Sequence, residues 1–221
     1  MKQLESNTMN LLRRFFDDLP IIAILRGLKP EEAVGALDAL VAAGIRIVEV
    51  PLNSPRPLES LRQLVSRAGE DVLIGAGTVL STDEVAAVVD TGARLMVAPN
   101  CDPLVIVKAK VLGLAALPGV ATPSEAFAAL KAGADGLKMF PGEMLPPQVL
   151  KAWLAVLPPG TPLVPVGGVS LDNMADYFAA GAAGFGFGSA LYKPGITASD
   201  LHERALKFVA RYRQLARGSG A

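Results

Sequence analysis

The chain has one cysteine, one histidine and no net charge, its 21 Lys and Arg matching 21 Asp and Glu. A single thiol, Cys101, forbids an internal disulfide and fits a reducing compartment. A single imidazole, His202, rules out a His-rich metal cage and, unless it serves alone, a Ser-His-Asp triad. It stands in the charged stretch Ser199-Asp200-Leu201-His202-Glu203-Arg204, where a solvated surface position is expected. Zero net charge argues against bulk attraction to nucleic acid or acidic membranes, so a bound anion must be held by a local site. No targeting segment is visible, because the first twenty residues interleave Lys2, Glu5, Arg13, Arg14, Asp17 and Asp18 with no apolar stretch. The longest uncharged run, 152–171, holds four prolines and three glycines and is no membrane helix. A soluble, cytoplasmic protein is expected, with neither nucleic acid nor membrane as partner.

What is present is apolar. Hydrophobic residues make up 51% of the 221 positions and charged ones 19%, which excludes disorder as the main state and calls for a sizeable core. Eight short runs rich in Ile, Val, Leu or Ala recur along the chain, at 21–25, 45–50, 72–76, 94–98, 113–117, 135–140, 162–166 and 184–187. Such runs suit strands of a parallel sheet buried on both faces. Helix signals fill the gaps. Pro30 opens a segment with Ala33, Val34, Leu37, Leu40 and Val41 on one face, closed by Gly44. Ser81 with Glu84 and Thr122 with Glu125 have capping-box spacing. Pro103, Pro146, Ser170 and Ser199 start others.

Eight strand–helix units in a chain of this length fit a (β/α)8 TIM barrel, which runs from ~200 residues upward. A doubly wound sheet would usually carry a glycine-rich dinucleotide turn after its first strand. Here that strand runs into Leu25-Arg26-Gly27-Leu28. The expectation is an α/β fold, a (β/α)8 barrel in a single domain over 20–217. Residues 1–19 are expected to form an extra N-terminal helix able to plug the barrel's bottom, and 218–221 a frayed tail.

Catalytic groups of such barrels sit at the C-terminal ends of strands. Of nine lysines, only Lys138 lies deep in an apolar run, with 136, 138 and 140 on one face and Gly136 leaving room beside it. A dehydrated ammonium has a lowered pKa, and the neutral amine can attack a carbonyl to form a Schiff base. A structural salt bridge, with Glu49 as its partner, explains the same position. Glu49 ends the second run, where a carboxylate can shuttle protons or serve as counter-ion to Lys138 or Arg26. Glycines 167, 168, 186 and 188, with Ser189, stand at the ends of the last two strands, the place where barrels often hold phosphate on backbone N–H groups. No Cys/His pairing points to a metal, and Cys101 has no base beside it.

Four spaced motifs, Glu49-Val50-Pro51-Leu52-Asn53-Ser54-Pro55, Gly75-Ala76-Gly77-Thr78-Val79, Leu137-Lys138-Met139-Phe140-Pro141 and Val166-Gly167-Gly168-Val169, resemble those of the 2-keto-3-deoxy-6-phosphogluconate/galactonate aldolases. The resemblance runs from Ile21 to Pro194. It implies a class I lyase on a (β/α)8 barrel, a homotrimer with neither metal nor organic cofactor. Lys138 would be the Schiff-base lysine and Glu49 the proton donor and acceptor. Arg26 and Thr78 would contact the substrate's carboxylate end or hydroxyls, and Gly167, Gly168, Gly188 and Ser189 its phosphate. The gluconate branch typically has Arg-Thr-Pro after the Glu-bearing strand and Thr before the Gly-Gly pair. Asn53-Ser54-Pro55 and Val166 resemble the galactonate branch instead, leaving Arg26 as the candidate to neutralise the carboxylate. The implied substrate is 2-dehydro-3-deoxy-6-phosphogalactonate, with pyruvate and glyceraldehyde 3-phosphate as products. The alternatives are its gluconate epimer or 4-hydroxy-2-oxoglutarate, a phosphosugar isomerase with Glu49 as base, and a non-catalytic anion-binding barrel.

Overall fold

Proline and capping residues divide the chain at nearly every expected boundary. The computed structural model describes residues 11–218. After a helical segment at 11–16 (α1) come β1 (Ile21–Ile24), α2 (Pro30–Ala43), β2 (Ile47–Pro51), α3 (Pro57–Arg67), β3 (Leu73–Gly77) and α4 (Thr82–Val89). Next are β4 (Leu95–Val97), α5 (Pro103–Val111), β5 (Ala115–Leu117), β6 (Gly119–Val120) and α6 (Pro123–Lys131). The last part holds β7 (Leu137–Met139), a 3-10 turn (Gly142–Met144), α7 (Pro147–Leu154), β8 (Leu163–Pro165), α8 (Met174–Ala179), β9 (Phe185–Phe187) and α9 (Ala198–Gly218). Both capping boxes form: Ser81 Oγ accepts the Glu84 N–H at 3.2 Å and Thr122 Oγ1 that of Glu125 at 3.3 Å. Gly44 closes α2 at φ +100°, a backbone state that glycine adopts without steric cost.

Every strand pairing is parallel, in a six-stranded sheet ordered β5-β4-β3-β2-β1-β9 and a three-stranded one ordered β6-β7-β8. The ninth strand is β6, just past the fifth run, parted from β5 by Pro118, which has no N–H to donate. A bridge between Val166 and Gly186 joins the far ends of the two sheets. Outward-facing strand residues pack against the helices in one large core. Ile22, Ile24, Ile47, Leu73, Leu95, Leu117, Val164 and Val166, drawn from both sheets, form a second cluster with Leu12 and Phe15 of α1. A flat sheet could not bring these residues together, so the sheet curls around them.

Several expectations shift. Most strands are shorter than the apolar runs, and α8 starts at Met174 rather than Ser170, whose N–H is taken by Asn173 Oδ1 at 2.8 Å. Val34 is exposed on α2. Gly136 makes room for Leu117 and Pro162, not for Lys138. His202 is half-buried, its Nδ1 3.1 Å from the Ala39 carbonyl. Of the expected N-terminal extension, 11–16 are helical and 1–10 lie outside the described residues; of the expected tail, only Gly218 is described, and it is helical. Among the described residues no helix is long and apolar enough to cross a membrane.

Candidate active site

Parallel strands all present their C-terminal ends to one side, and there the chemistry collects. Lys138 in β7 is 4% exposed and Glu49 in β2 is 1% exposed. Burial lowers the Lys138 pKa, opposed by the charge of Glu49 and reinforced by Arg26. Burial pushes Glu49 up to about 7, against the pull of Lys138 and Arg26. The carboxyl therefore changes charge near neutrality while the amine is easier to deprotonate than an ordinary lysine. Glu49 Oε2 has no hydrogen-bond partner, and the Lys138 ammonium lies 4.8 Å from the centroid of the Phe140 ring, two residues along the same face.

The Gly75-Ala76-Gly77 stretch has a steric reason. A methyl group at Gly77 would overlap the Glu49 carboxylate, and one at Gly75 would come within 2.6 Å of Leu95. Glycine at 77 thus opens the space that Glu49 fills. Thr78 follows with φ +55°, a left-handed conformation unusual for a β-branched residue and frequent at functional sites. Arg26 lies in the exposed turn after β1, its Nη1 donating to Asn53 Oδ1 at 2.8 Å. Beside it, the Gly27 N–H donates to the buried Ser54 Oγ at 3.0 Å. The Asn53-Ser54 pair thereby ties the loop after β2 to the turn that carries Arg26.

Val166 is buried in the inner cluster and abuts Gly186, where a methyl group would come within 2.6 Å of its Cγ2. Gly167 and Gly168 have φ of +92° and +65°. With Gly188 and Ser189 they line a cavity of 310 Å³. Two lining residues escaped the reading of the sequence, Glu143 and Lys193. Their signals were available: Glu143 follows Lys138 by five positions in the loop after β7, and Lys193 follows Ser189 by four. Among the described residues no three His, Cys, Asp or Glu side chains gather where a metal ion could sit.

A buried lysine of lowered pKa, electrostatically coupled to a buried carboxyl, is chemically suited to forming an imine. The family model for "Aldolase: KDPG and KHG aldolase" matches residues 13–205, and the chain belongs to that family. It is 52% identical over 193 residues to a Rhizobium meliloti protein named "Probable 2-dehydro-3-deoxy-6-phosphogalactonate aldolase", covering 87% of this chain and 91% of that one. It is 45% identical over 196 residues to the 2-dehydro-3-deoxy-6-phosphogalactonate aldolase of Escherichia coli, covering 89% and 96%. The structure described as native KDPGal superposes with a TM-score of 0.88 at 44% identity, over 90% of this chain and 97% of that one. The KDPG aldolase of Legionella pneumophila, captured with pyruvate as a covalent carbinolamine, superposes at 0.80 with 28% identity, over 88% and 96%.

Proposed function

We propose that this protein is a class I aldolase, a carbon–carbon lyase that cleaves 2-dehydro-3-deoxy-6-phosphogalactonate to pyruvate and glyceraldehyde 3-phosphate through an imine on Lys138. The observation that carries the reading is the buried Lys138, its pKa lowered, sharing a strand-end site with Glu49, whose pKa stands at about 7. The names of the two relatives and the carbinolamine captured in the Legionella enzyme point the same way.

In this mechanism the neutral Lys138 amine adds to the C2 ketone, and Glu49 protonates the departing hydroxyl of the carbinolamine to release water. Glu49, now a carboxylate, takes the proton of the C4 hydroxyl. The C3–C4 bond breaks, its electrons pass into the iminium to give an enamine, and glyceraldehyde 3-phosphate leaves. Glu49 returns the proton to C3, and water hydrolyses the resulting imine to pyruvate and free Lys138. One carboxyl near neutrality can both give and take that proton. Arg26 uses one guanidinium N–H on Asn53 and has a further edge for the substrate carboxylate; Thr78 contacts the same end. Gly167, Gly168, Gly188 and Ser189 hold the phosphate, and Val166 lies between it and the reacting carbons. The iminium supplies the electron sink, so no metal or organic cofactor enters the scheme.

The fold supports two finer readings. The two sheets form one closed (β/α)8 barrel over 20–217, with β5 and β6 as one strand interrupted at Pro118, the Val166–Gly186 bridge as the second seam and the 1–19 extension plugging the bottom. A homotrimer is supported by the apolar side chains left exposed on and just after α5, namely Leu104, Val107, Val111 and Leu112. Sedimentation of a Leu104→Glu, Val111→Glu variant as a monomer would place the interface there.

Incubation with pyruvate and borohydride, followed by intact mass and peptide mapping, tests the central claim. One reduced pyruvyl adduct on Lys138 is the expected result. An untrapped protein, or an adduct on another lysine, would overturn the assignment.

A further inference from the structure

The 310 Å³ cavity beside the glycine turn contains an anionic side chain as well as a cationic one. Glu143 lies on the turn itself. A methyl group at Gly167 would come within 2.6 Å of its Oε2, and one at Gly168 within 2.6 Å of its Cγ. The two positive-φ glycines therefore leave room for Glu143 first, and only then for a ligand. The backbone presenting Glu143 is fixed on both sides. The Gly142 N–H donates to the Val166 carbonyl at 2.7 Å, and the Tyr177 hydroxyl donates to the carbonyls of Gly142 and Leu145 at 3.0 and 3.3 Å. Burial, with Glu143 as the second cause, raises the Tyr177 pKa, which keeps that hydroxyl a donor.

A carboxylate in a phosphate pocket is a paradox if phosphate alone is the ligand, because like charges at such range repel. Lys193 lines the same cavity, yet the two side chains form no ion pair among the described residues. Each is thus available to a different part of one ligand. Contact says which part: Glu143 lies against Gly167 and Gly168, the turn that takes the phosphate on C6, so its carboxylate meets the end of the substrate beside that phosphate.

We infer that Glu143 and Lys193 read the sugar-phosphate end of the substrate as a unit: Glu143 accepts a hydrogen bond from the hydroxyl beside the phosphate-bearing carbon, and Lys193 pairs with the phosphate. The pocket selects a polyol monophosphate over bare phosphate. Glu143 is a specificity-determining residue that disfavours the simple anion and accepts the hydroxylated one. This inference rests on the aldolase reading for the orientation of the substrate.

The test is calorimetric binding of two probes, inorganic phosphate and glycerol 3-phosphate, to the unaltered protein, Glu143→Gln and Lys193→Met. In Glu143→Gln, inorganic phosphate is expected to bind more tightly and glycerol 3-phosphate more weakly, cutting the preference for the polyol about tenfold, the size of one charge-assisted hydrogen bond. Its kcat/KM on the phosphorylated substrate falls by a similar factor. Lys193→Met weakens both probes about tenfold and preserves the preference. A merely structural Glu143 would weaken both probes in proportion, and an unchanged preference in Glu143→Gln overturns the inference, as does unchanged phosphate affinity in Lys193→Met. Pyruvate trapping on the same samples reports on Lys138 alone, so failure of this inference and failure of the aldolase reading are told apart.

Discussion

The segment around β7 holds members of two lysine–carboxylate pairs within three residues of each other, each with a buried carboxyl, and the pairs are built in opposite ways. At its start, Asp135 Oδ2 binds the Lys110 ammonium at 2.5 Å and accepts the Ala116 N–H at 2.7 Å. Its second oxygen, Oδ1, has no partner. Burial still raises the Asp135 pKa, with Lys110 and the Ala116 N–H pulling it back. Near its end, Lys138 and Glu49 feel each other through space, while Glu49 Oε2 is left without a donor. A charge buried for architecture is tied down by short directional bonds. A charge buried for chemistry is left loosely partnered, so its cost of burial remains available to drive a change of protonation.

Substituting the lysine of each pair should separate the two designs most sharply. Lys138→Ala is expected to lower kcat on the order of 10⁴-fold or more and to abolish borohydride trapping, with a thermal midpoint close to that of the unaltered protein. A Lys138→Ala variant that unfolds would make this pair structural after all. Lys110→Met should do the reverse. It strands the Asp135 carboxylate and should cost about 3–5 kcal/mol of stability, read from urea unfolding, while the folded fraction keeps its kcat.

Glu49→Gln sharpens the contrast through pH. The folded-state pKa of Glu49, about 7, stands above the 4.5 of an ordinary glutamate. The folded protein therefore holds an extra proton between those values, and its stability falls as pH rises through that window. The loss by pH 8 is roughly 3 kcal/mol, because each pH unit between the two values is worth ~1.36 kcal/mol. Glu49→Gln should remove that slope from a denaturation series, and a slope that survives would assign it to another group. The same ionisation should appear in catalysis as a fall of kcat/KM as pH rises through about 7, because the proposed scheme starts from the protonated carboxyl that releases water from the carbinolamine. Smallest is the effect expected at Val166, which shares the site's edge with the glycine turn. A Val166→Thr hydroxyl can hydrogen-bond a C4 hydroxyl of the gluconate configuration. It should shift the ratio of kcat/KM for the two epimers about tenfold toward that one, equivalent to ~1.4 kcal/mol. No shift would move epimer discrimination to Asn53 and Ser54.

The architecture was legible where local chemistry is strong. Ser81 with Glu84 and Thr122 with Glu125 could be read as capping boxes because the reciprocal bonds lie within four residues. Lys138 and Glu49 stood out because charge inside an apolar run is costly wherever it occurs. Contacts made across the fold were not legible. That the glycines at 167 and 168 leave room for Glu143 depends on a turn 24 residues earlier, and Gly77 serves the Glu49 carboxylate on a neighbouring strand. His202 carried its surface expectation from its charged neighbours, yet its ring meets the Ala39 carbonyl of α2. Sequence periodicity records which side of an element is buried, but not what it is buried against.

The interruption at Pro118 has a geometric consequence. The wall around the interior consists of one arc of six strands and one of three, joined by the chain at Pro118, by the Asp135–Ala116 bonds, by the Ala183 N–H on the Leu163 carbonyl and by the Val166–Gly186 bridge. Glu49 rides on the larger arc and Lys138 on the smaller. The two side chains therefore belong to arcs whose ladders are continuous within each arc and interrupted between them. The spacing of Lys138 and Glu49 is thus set across the seams between the arcs and not by the ladder of one sheet.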